Sequence, residues 1–480
     1  LKDAVISHKL AIFVENRLHL GKTIKQAYCL ALDLHYFCDI NNQTNSLKPM
    51  QYTRIHATFC TLIVALCTAI GACSAQNNDS FNSPATNMPR GSFLQPHLCH
   101  KWDDVRWQQE FAAMREAGMD FVILMSTADT DTAGVTRAIY PTAIEGINHS
   151  GNDVVDACLR NAQRAGMKVV IGLNFDDRWW DIGKGTAPMW LEHSLMQGNE
   201  IAAEIMRNYY PRYAEVMQGW YWVWEVEPSF CSNPIILEVL TQALNANLDF
   251  LHSLSPSLPV MLSPFMNRSL GSADNCARVW QYILSNAHFA DGDIFAPQDC
   301  IGSGYLTLDC VEEWFAKLRD IIPTKPAVQF WGNIELFDQR FWTSADIGRI
   351  KLQHDAIAPF VSGFISFAYS HYVSPNLKNP VLHRAYSHYV RTGKLLQCKA
   401  PAAVSEAKCT GGILSWKGIS GNEWLLGYRV RRDGVLVADC QLTHDGSCKC
   451  SINADTPGIY AITAYDAWGN ESSAVEVKVP

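Results

Sequence analysis

The stretch GWYWVWEVEPSF, from Gly219 to Phe230, combines aromatic residues and two glutamates in one strand-like run. In a β-strand successive side chains point to opposite faces, so the three tryptophans share one face and Glu225 and Glu227 share the other. The pattern therefore predicts a buried strand that ends in acidic side chains. If the strand bends at Val226, only Glu225 is expected to reach a site.

Seven further short apolar runs flank this stretch. They begin at Phe93, Phe121, Lys168, Pro259, Gly292, Pro326 and Val361. Amphipathic helical stretches lie between them, among them residues 107–117, 153–165 and 235–254. Eight strand-like runs that alternate with helices are what a (β/α)₈ barrel requires. The predicted fold class is α/β, with a TIM barrel over residues 91–396.

The remaining residues, 397–480, change to short alternating segments joined by Gly, Asn and Asp turns. This pattern predicts a small β-sandwich that resembles fibronectin type III and immunoglobulin domains, with Trp416 and Tyr460 in its core. We expect the sandwich to act as a spacer, and a sugar-binding module is the alternative.

The N-terminal region has the pattern of a secretory signal over residues 50–75. Arg54 precedes an uncharged run that ends in small residues, which is short for a bilayer span. Residues 1–49 are predicted to be an upstream extension, and 76–90 a linker. Lipidation of Cys73 would tether the protein to a membrane, and cleavage near Ala75 is the alternative. Either leads to export, as a periplasmic, cell-surface or secreted protein.

The composition excludes several function classes. A net charge of −8 argues against nucleic acid as a partner. The sixteen cysteines lack the paired spacing of a zinc site, and in an exported protein we expect disulfides. No Gly-rich phosphate loop follows a strand and no G-x-S-x-G motif occurs. We therefore expect no metal and no cofactor, and the oligomeric state stays open.

Two glutamates are the candidate catalytic residues. A TIM barrel places its active site at the C-terminal ends of its strands, where Glu225 and Glu335 stand on the fourth and seventh runs. One protonated and one ionised carboxyl are the minimum equipment for cleaving a glycosidic bond. We expect Glu225 to be the acid/base and Glu335 the nucleophile of a retaining reaction. The alternative is that they pair with Arg or Lys.

Polar and aromatic residues near the other strand ends are the candidate substrate contacts, because sugars present hydroxyls and flat C–H faces. On the seventh run, Gln329, Trp331, Asn333 and Glu335 share the face predicted to line the site. The candidates are Gln95, Asn174, Asp176, Trp179, Trp180, Trp222, Glu227, Asn267, Gln298, Asp299, Trp331, Asn333, Tyr369 and His371.

Seven phrases resemble an uncharacterised bacterial family of glycosidase-like TIM barrels, domain of unknown function 4434. They are GSFLQ, GMKVVIGLNFDDRWW, GWYWVWEVE, LSPFMN, APQDCIGSG, FWGNIELF and FISFAYSHYVSP, spread over residues 91–394. The resemblance implies a glycoside-hydrolase-like barrel with Glu225 and Glu335 at its site. Retaining barrel enzymes usually place Asn before the acid/base, whereas this chain has Trp224, so Asn333 or Gln298 would have to contact the sugar 2-hydroxyl.

The expected function is a glycoside hydrolase that acts on a polysaccharide or oligosaccharide. The alternative is a non-catalytic glycan-binding surface protein that keeps the barrel and its aromatic rim. A purely structural scaffold ranks last.

Overall fold

The computed structural model describes residues 88–480, apart from Ser150, Gly185 and Thr186. The predicted upstream extension, signal peptide and lipidation site lie outside the described residues, as does most of the predicted linker. None of the helices in the described part is long and apolar enough to cross a membrane.

Eight parallel strands close into a barrel in which each strand pairs with its neighbours in the chain and the last pairs with the first. They are β1 (Pro89–Leu94), β2 (Phe121–Leu124), β3 (Lys168–Gly172), β4 (Met217–Trp222), β5 (Val260–Leu262), β6 (Ile294–Phe295), β7 (Gln329–Glu335) and β8 (Gly363–Phe367). Each falls on one of the eight predicted runs, so the TIM-barrel prediction is confirmed.

One main helix follows each strand. They are α1 (Asp104–Glu116), α2 (Val154–Ala165), α3 (Ala187–Asn208), α4 (Pro234–Leu254), α5 (Ala273–Asn286), α6 (Val311–Arg319), α7 (Ile347–Ile357) and α8 (Pro380–Thr392). Local sequence sets several boundaries. The carboxylate of Asp103 caps α1, and Ser272 and Asn275 form a capping box at α5. Gly393 ends α8 with a φ of +67°, which glycine adopts without steric cost.

The loops at the C-terminal ends of the barrel strands carry the smaller elements. Four short strands form a separate sheet, Ala128–Thr130, Thr136–Ala138, Ile147–His149 and Asn174–Asp176. Strands Phe337–Asp338 and Thr343–Ser344 pair as the β7–α7 hairpin, residues 337–344. The short helices are Pro96–Cys99, Tyr210–Tyr213 and Tyr369–Tyr372, with 3₁₀ turns at Asp177–Lys184 and Pro228–Ser232.

The alternation predicted for the fourth run holds within β4. Trp220 and Trp222 point outward to α4. The indole N–H of Trp220 donates to Ser255, the residue that follows the helix, at 2.8 Å, and that of Trp222 donates to Asn247 within the helix at 3.0 Å. Tyr221 points into the barrel, and its ring meets that of Phe93 edge-on at 5.0 Å. One strand therefore packs against the helices and also fills the barrel interior.

The C-terminal region is a β-sandwich, as predicted. Its strands are β9 (Ser405–Thr410), β10 (Ile413–Lys417), β11 (Leu425–Arg432), β12 (Val435–Gln441), β13 (Ser451–Asn453), β14 (Gly458–Asp466) and β15 (Val475–Val479). One sheet has the order β9-β10-β13 and the other β12-β11-β14-β15. Trp416 and Tyr460 are both buried in its core. The likeness to fibronectin type III stays a prediction.

The sandwich packs directly on the barrel through a charged and aromatic junction. The guanidinium of Arg429 binds Asp346, the residue that caps α7, at 2.7 Å and Glu471 at 2.8 Å. Trp468 belongs to the barrel's hydrophobic core and meets His388 of α8 edge-on. The two domains therefore share buried surface.

Nine cysteines form no disulfide in the structure, so the expectation of disulfides is wrong for them: Cys99, Cys158, Cys300, Cys310, Cys398, Cys409, Cys440, Cys448 and Cys450. Three of them, Cys99, Cys158 and Cys300, are buried within the barrel. A buried thiol behaves as a small apolar side chain, so packing accounts for these positions.

Candidate active site

A cleft of about 960 Å³ opens at the C-terminal ends of the barrel strands. It is lined by residues that end or follow each of the eight strands, including Gln95, Met125, Trp179, Glu225, Phe265, Gln298, Glu335 and Phe367. This volume falls within the usual range for small-molecule sites, and the position is where TIM barrels hold their chemistry. Chain segments far apart in sequence meet in the cleft only because the barrel closes.

Glu225 lies three residues after β4 ends, half-buried in the cleft wall. The side-chain amide of Gln298 donates to its Oε1 at 2.9 Å and also to the carbonyl of Ser263 at 3.1 Å. The indole of Trp179 donates to the backbone carbonyl of Glu225 at 3.1 Å. Burial raises the pKa of Glu225 to about 7, against the opposing effect of the Gln298 hydrogen bond.

Glu335 is the last residue of β7 and is 2% exposed. The backbone N–H of Ser303 donates to its Oε2 at 2.7 Å. This contact depends on Gly302, where a Cβ would lie 2.4 Å from the carbonyl oxygen of Phe337 and 2.9 Å from the Cβ of Glu335. Burial, together with the charge of Asp299, raises the pKa of Glu335 to about 8.

A buried network holds the end of β7 in place. Asp299 accepts from the backbone N–H of Glu335 at 3.4 Å and from the amide of Gln353 at 2.7 Å. Gln353 also donates to the carbonyl of Glu335 at 3.0 Å, and Arg349 donates to the same carbonyl at 3.3 Å. Both Gln353 and Arg349 belong to α7. Their role was missed from the sequence, because a mid-helix Gln or Arg carries no signal for such a contact.

Glu227 lines the cleft together with Glu225, so the expectation that only Glu225 reaches the site is wrong. Its carboxylate accepts the backbone N–H of Ser229 at 2.6 Å and caps the 3₁₀ turn Pro228–Ser232. The two glutamates therefore differ in their partners, since Glu227 stabilises its own loop while Glu225 binds a side chain from another strand.

Seven of the candidate substrate contacts line the cleft. They are Gln95, Trp179, Trp180, Glu227, Asn267, Gln298 and His371. Trp180 is 57% exposed, whereas Trp179 is buried and stacks on Phe230 with the ring centroids 5.8 Å apart. Of the four predicted tryptophans, Trp179 and Trp180 contribute aromatic surface to the cleft.

The other seven candidates lie behind the cleft wall, so their predicted position is wrong. They are Asn174, Asp176, Trp222, Asp299, Trp331, Asn333 and Tyr369. Asn174 donates to the carbonyl of Ser194 in α3, and Trp222 points to α4. The hydroxyl of Tyr369 lies 2.8 Å from His383 of α8. All three side chains point away from the barrel interior and contact the surrounding helices.

Asn333 and Trp331 do not line the cleft because they lie deeper in the barrel. Asn333 faces inward as predicted, but it donates to Ser263 at 3.0 Å beneath the cleft. Trp331 lies lower still, against Phe121 and Gly363. Inward-facing side chains of a TIM barrel fill its interior in layers, and only the top layer reaches a ligand. Alternation predicts the face of a strand residue but not its layer.

Asp176 and Asp299 bind other protein groups and do not line the cleft. Asp176 is 2% exposed and binds the guanidinium of Arg178 at 2.6 Å. Asp299 is fully buried and serves the network behind Glu335. A carboxylate held by such partners has no oxygen directed at the cleft.

The sequence interpretation missed several cleft residues, chiefly aromatic. They are Phe230, Phe265, Tyr305, Phe337, Trp342 and Tyr372. Phe337 follows Glu335 by two residues, so the alternation used for β7 could have predicted it. Trp342 lies in the β7–α7 hairpin, and nothing in the local pattern predicts how that hairpin folds back.

His97 and His371 lie together at the edge of the cleft, with ring centroids 5.7 Å apart. Burial, with the charge of His97, lowers the pKa of His371 to about 4, so its imidazole is neutral at physiological pH. Within the described residues no group of three His, Cys, Asp or Glu side chains is arranged to hold a metal ion.

The model of one protein family, described as a domain of unknown function (DUF4434), matches residues 90–379. The chain belongs to the DUF4434 family. This match spans the whole barrel up to the loop before α8 and includes both glutamates of the cleft. No curated protein matches the chain.

Two solved structures align with this DUF4434 protein. A proposed α-L-fucosidase from Bacteroides thetaiotaomicron aligns over 64% of this chain and 95% of its own, with 22% identity and a TM-score of 0.53. A family 39 glycoside hydrolase from Bacteroides cellulosilyticus aligns over 77% and 79%, with 12% identity and a TM-score of 0.40. At 22% identity, the likeness to the Bacteroides thetaiotaomicron structure shows the fold alone.

Proposed function

We propose that this DUF4434 protein is a glycoside hydrolase that cleaves a polysaccharide or oligosaccharide with retention of configuration. The observation that carries the proposal is the pair Glu225 and Glu335, which reach one aromatic-lined cleft from strands β4 and β7. Neither forms a salt bridge with any described Lys or Arg, which speaks against a purely structural role. Export of the protein, from the pattern at residues 50–75, is part of the proposal.

The reaction would proceed in two steps. Glu225 donates a proton to the oxygen of the leaving sugar while the carboxylate of Glu335 attacks the anomeric carbon, which gives a covalent glycosyl-enzyme. A water then attacks the same carbon, Glu225 takes its proton and Glu335 leaves. The half-buried Glu225 suits an exchange of protons with leaving group and water. Glu335 suits the nucleophile, because Ser303 and the network around Asp299 hold it rigidly.

The pKa order of the two glutamates points the other way, since Glu335 is raised above Glu225. The charge of Asp299 contributes to the high value at Glu335, so the cleft carboxyls titrate as an interacting group. Geometry supports Glu225 as the proton donor, because it is half-buried at the cleft wall whereas Glu335 is held by Ser303 and by the network around Asp299.

Activity is expected to peak near neutral pH. The reaction needs one carboxyl protonated and one ionised, and burial raises the two pKa values to about 7 and about 8. As the pH falls below this window both carboxyls become protonated and the nucleophile is lost. As it rises above, both ionise and the acid is lost. A pH profile of kcat/KM checks this, and a maximum near pH ~4, where ordinary carboxyls titrate, would contradict it.

The function itself is tested by a screen of plant, host and microbial glycans for released reducing ends. Wild type should hydrolyse at least one, and Glu225→Gln and Glu335→Gln should each lose about 10³-fold or more in rate. Glu238→Gln is the matched control, because the same change is made at an exposed residue of α4 that does not line the cleft. Hydrolysis that survives both catalytic substitutions would rule out the proposal.

One observation favours the alternative of a glycan-binding protein without catalysis. Trp224 precedes Glu225, and its buried indole packs against Trp179 and Trp190. It therefore supplies no hydrogen bond to a sugar 2-hydroxyl. Of the two substitutes considered from the sequence, Asn333 lies beneath the cleft, whereas Gln298 lines it next to Glu225. Binding of a glycan by wild type with no hydrolysis in the screen would support this alternative.

A further inference from the structure

Three aromatic side chains form a continuous platform at one side of the cleft. The ring of Trp342 lies over Phe337 with centroids 6.1 Å apart and planes 10° apart. Phe337 in turn stacks on Tyr372, with centroids 5.3 Å apart and planes 23° apart. All three line the cleft, and Phe337 follows Glu335 by two residues. The platform, defined as Phe337, Trp342 and Tyr372, is therefore next to the catalytic pair.

Trp342 is the exposed end of this platform. Its side chain is 62% exposed, although a large apolar surface is normally removed from water. Its φ of +53° places a non-glycine residue in the left-handed region, which costs free energy and persists only where neighbours enforce it. Because most of the indole is exposed, its burial contributes little stability to offset this backbone cost. The arrangement leaves one face of the ring directed at solvent in the cleft.

The C-terminal sandwich holds the hairpin that carries Trp342. The hydroxyl of Thr343 donates to Asp439 at 2.9 Å. The side-chain amide of Gln441 makes two hydrogen bonds with the backbone of Ser344. Its oxygen accepts from the N–H at 3.0 Å, and its nitrogen donates to the carbonyl at 2.7 Å. Tyr465 donates to Asp439 at 2.6 Å and so fixes that carboxylate. Strand β12 thus binds the two residues that follow Trp342.

We propose that Trp342 is a sugar-stacking subsite, outside the reacting position, that the C-terminal sandwich holds in place. Its ligand is one pyranose ring of a bound oligosaccharide, with the C–H face on the indole. This rests on the proposed function only in that the ligand is a carbohydrate. The sandwich is then part of the substrate site, where the sequence had led us to expect a spacer.

The subsite is tested by binding to the Glu335→Gln variant, in which hydrolysis is stopped. The probes are the β-1,4-linked hexaoses of glucose, xylose and mannose, measured by titration calorimetry. Adding Trp342→Ala should weaken binding of the best probe about tenfold, and Trp342→Phe should restore most of it. Tyr282→Ala on α5, an exposed aromatic outside the cleft, is the matched control and should change nothing. Equal affinity of the Trp342→Ala protein, or no binding of any hexaose, overturns the subsite.

The role of the sandwich is tested with Thr343→Val and Gln441→Ala, which remove the contacts to the hairpin and leave Trp342 intact. Together they should weaken hexaose binding several-fold, with the melting temperature within about 2 °C of the parent. Unchanged affinity would show that the hairpin holds itself, and this part of the proposal would be wrong. A loss of both affinity and melting temperature would indicate general destabilisation and would equally contradict it.

The result of the subsite test can be distinguished from the result of the hydrolase test. Binding is measured on an inactive variant, so a protein that binds hexaoses through Trp342 but never hydrolyses a glycan would keep the subsite and lose the hydrolase proposal. If the Trp342→Ala protein hydrolyses a glycan as well as wild type does, the hydrolase proposal stands and the subsite is wrong.

Discussion

The Glu335→Gln variant is expected to lose about 10⁴-fold or more of kcat on every glycoside, whatever the leaving group. As the proposed nucleophile, Glu335 forms the bond to the anomeric carbon, and a neutral amide cannot take its place. The fold should survive the change, because the Ser303 N–H can donate to the amide oxygen as it does to the carboxylate. Steady-state kinetics on natural and aryl glycosides measure the loss.

Glu225→Gln should behave differently. A nitrophenolate leaves without the help of an acid, so formation of the glycosyl-enzyme from a nitrophenyl glycoside should stay within about tenfold of wild type, while an unactivated sugar leaving group loses about 10³-fold. With alanine in place of each residue, added azide should give a product of retained configuration from Glu225→Ala and of inverted configuration from Glu335→Ala. The opposite pattern would exchange the two roles, in line with the pKa order.

The Arg429→Met variant is expected to lose about 3 kcal/mol of unfolding free energy. Its guanidinium binds Asp346 and Glu471, and their side chains are 9% and 25% exposed. Methionine fills a similar volume, so the loss would come from the charges that are left without a partner. Asp346 also caps α7, the helix whose Gln353 and Arg349 hold the end of β7, so activity should fall as well. Chemical denaturation and kcat/KM measure the two effects.

Lys417→Met in the same sandwich is the control for Arg429→Met. Its salt bridge with Glu406 spans 2.9 Å, but the two side chains are 65% and 68% exposed. Pairs of this kind contribute about 1 kcal/mol or less, because water and salt screen them. Equal losses in the two variants would show that the junction contributes nothing beyond an ordinary surface pair.

The barrel was predictable from residue pattern because its information is local and repeated. Each of the eight runs carries the apolar signal of a buried strand, and each is followed by an amphipathic stretch. One ambiguous run would not have changed the prediction. Glu225 and Glu335 could be proposed from the sequence for a related reason, since both stand at strand ends where a TIM barrel places its chemistry.

The disulfide expectation is wrong for nine of the described cysteines, because it was inferred from a count and a compartment. Burial of Cys99, Cys158 and Cys300 at separate places in the barrel depends on packing that a cysteine count does not contain. The expectation for Glu227 failed because a turn of five residues, Pro228–Ser232, forms where a simple bend was assumed.

Periodicity alone was enough for the eight strands, for the inward and outward faces of the fourth and seventh strands, and for placing Glu225 and Glu335 at strand ends, because these follow from neighbours along the chain. Three-dimensional packing set the layer of each inward residue, so that Trp331 and Asn333 fill the barrel while Glu335, on the same face, reaches the cleft. Packing also brought Thr343 and Ser344 against Asp439 and Gln441, about a hundred residues later in the chain. Such contacts follow from closure of the barrel and docking of the sandwich, which no local window of sequence contains.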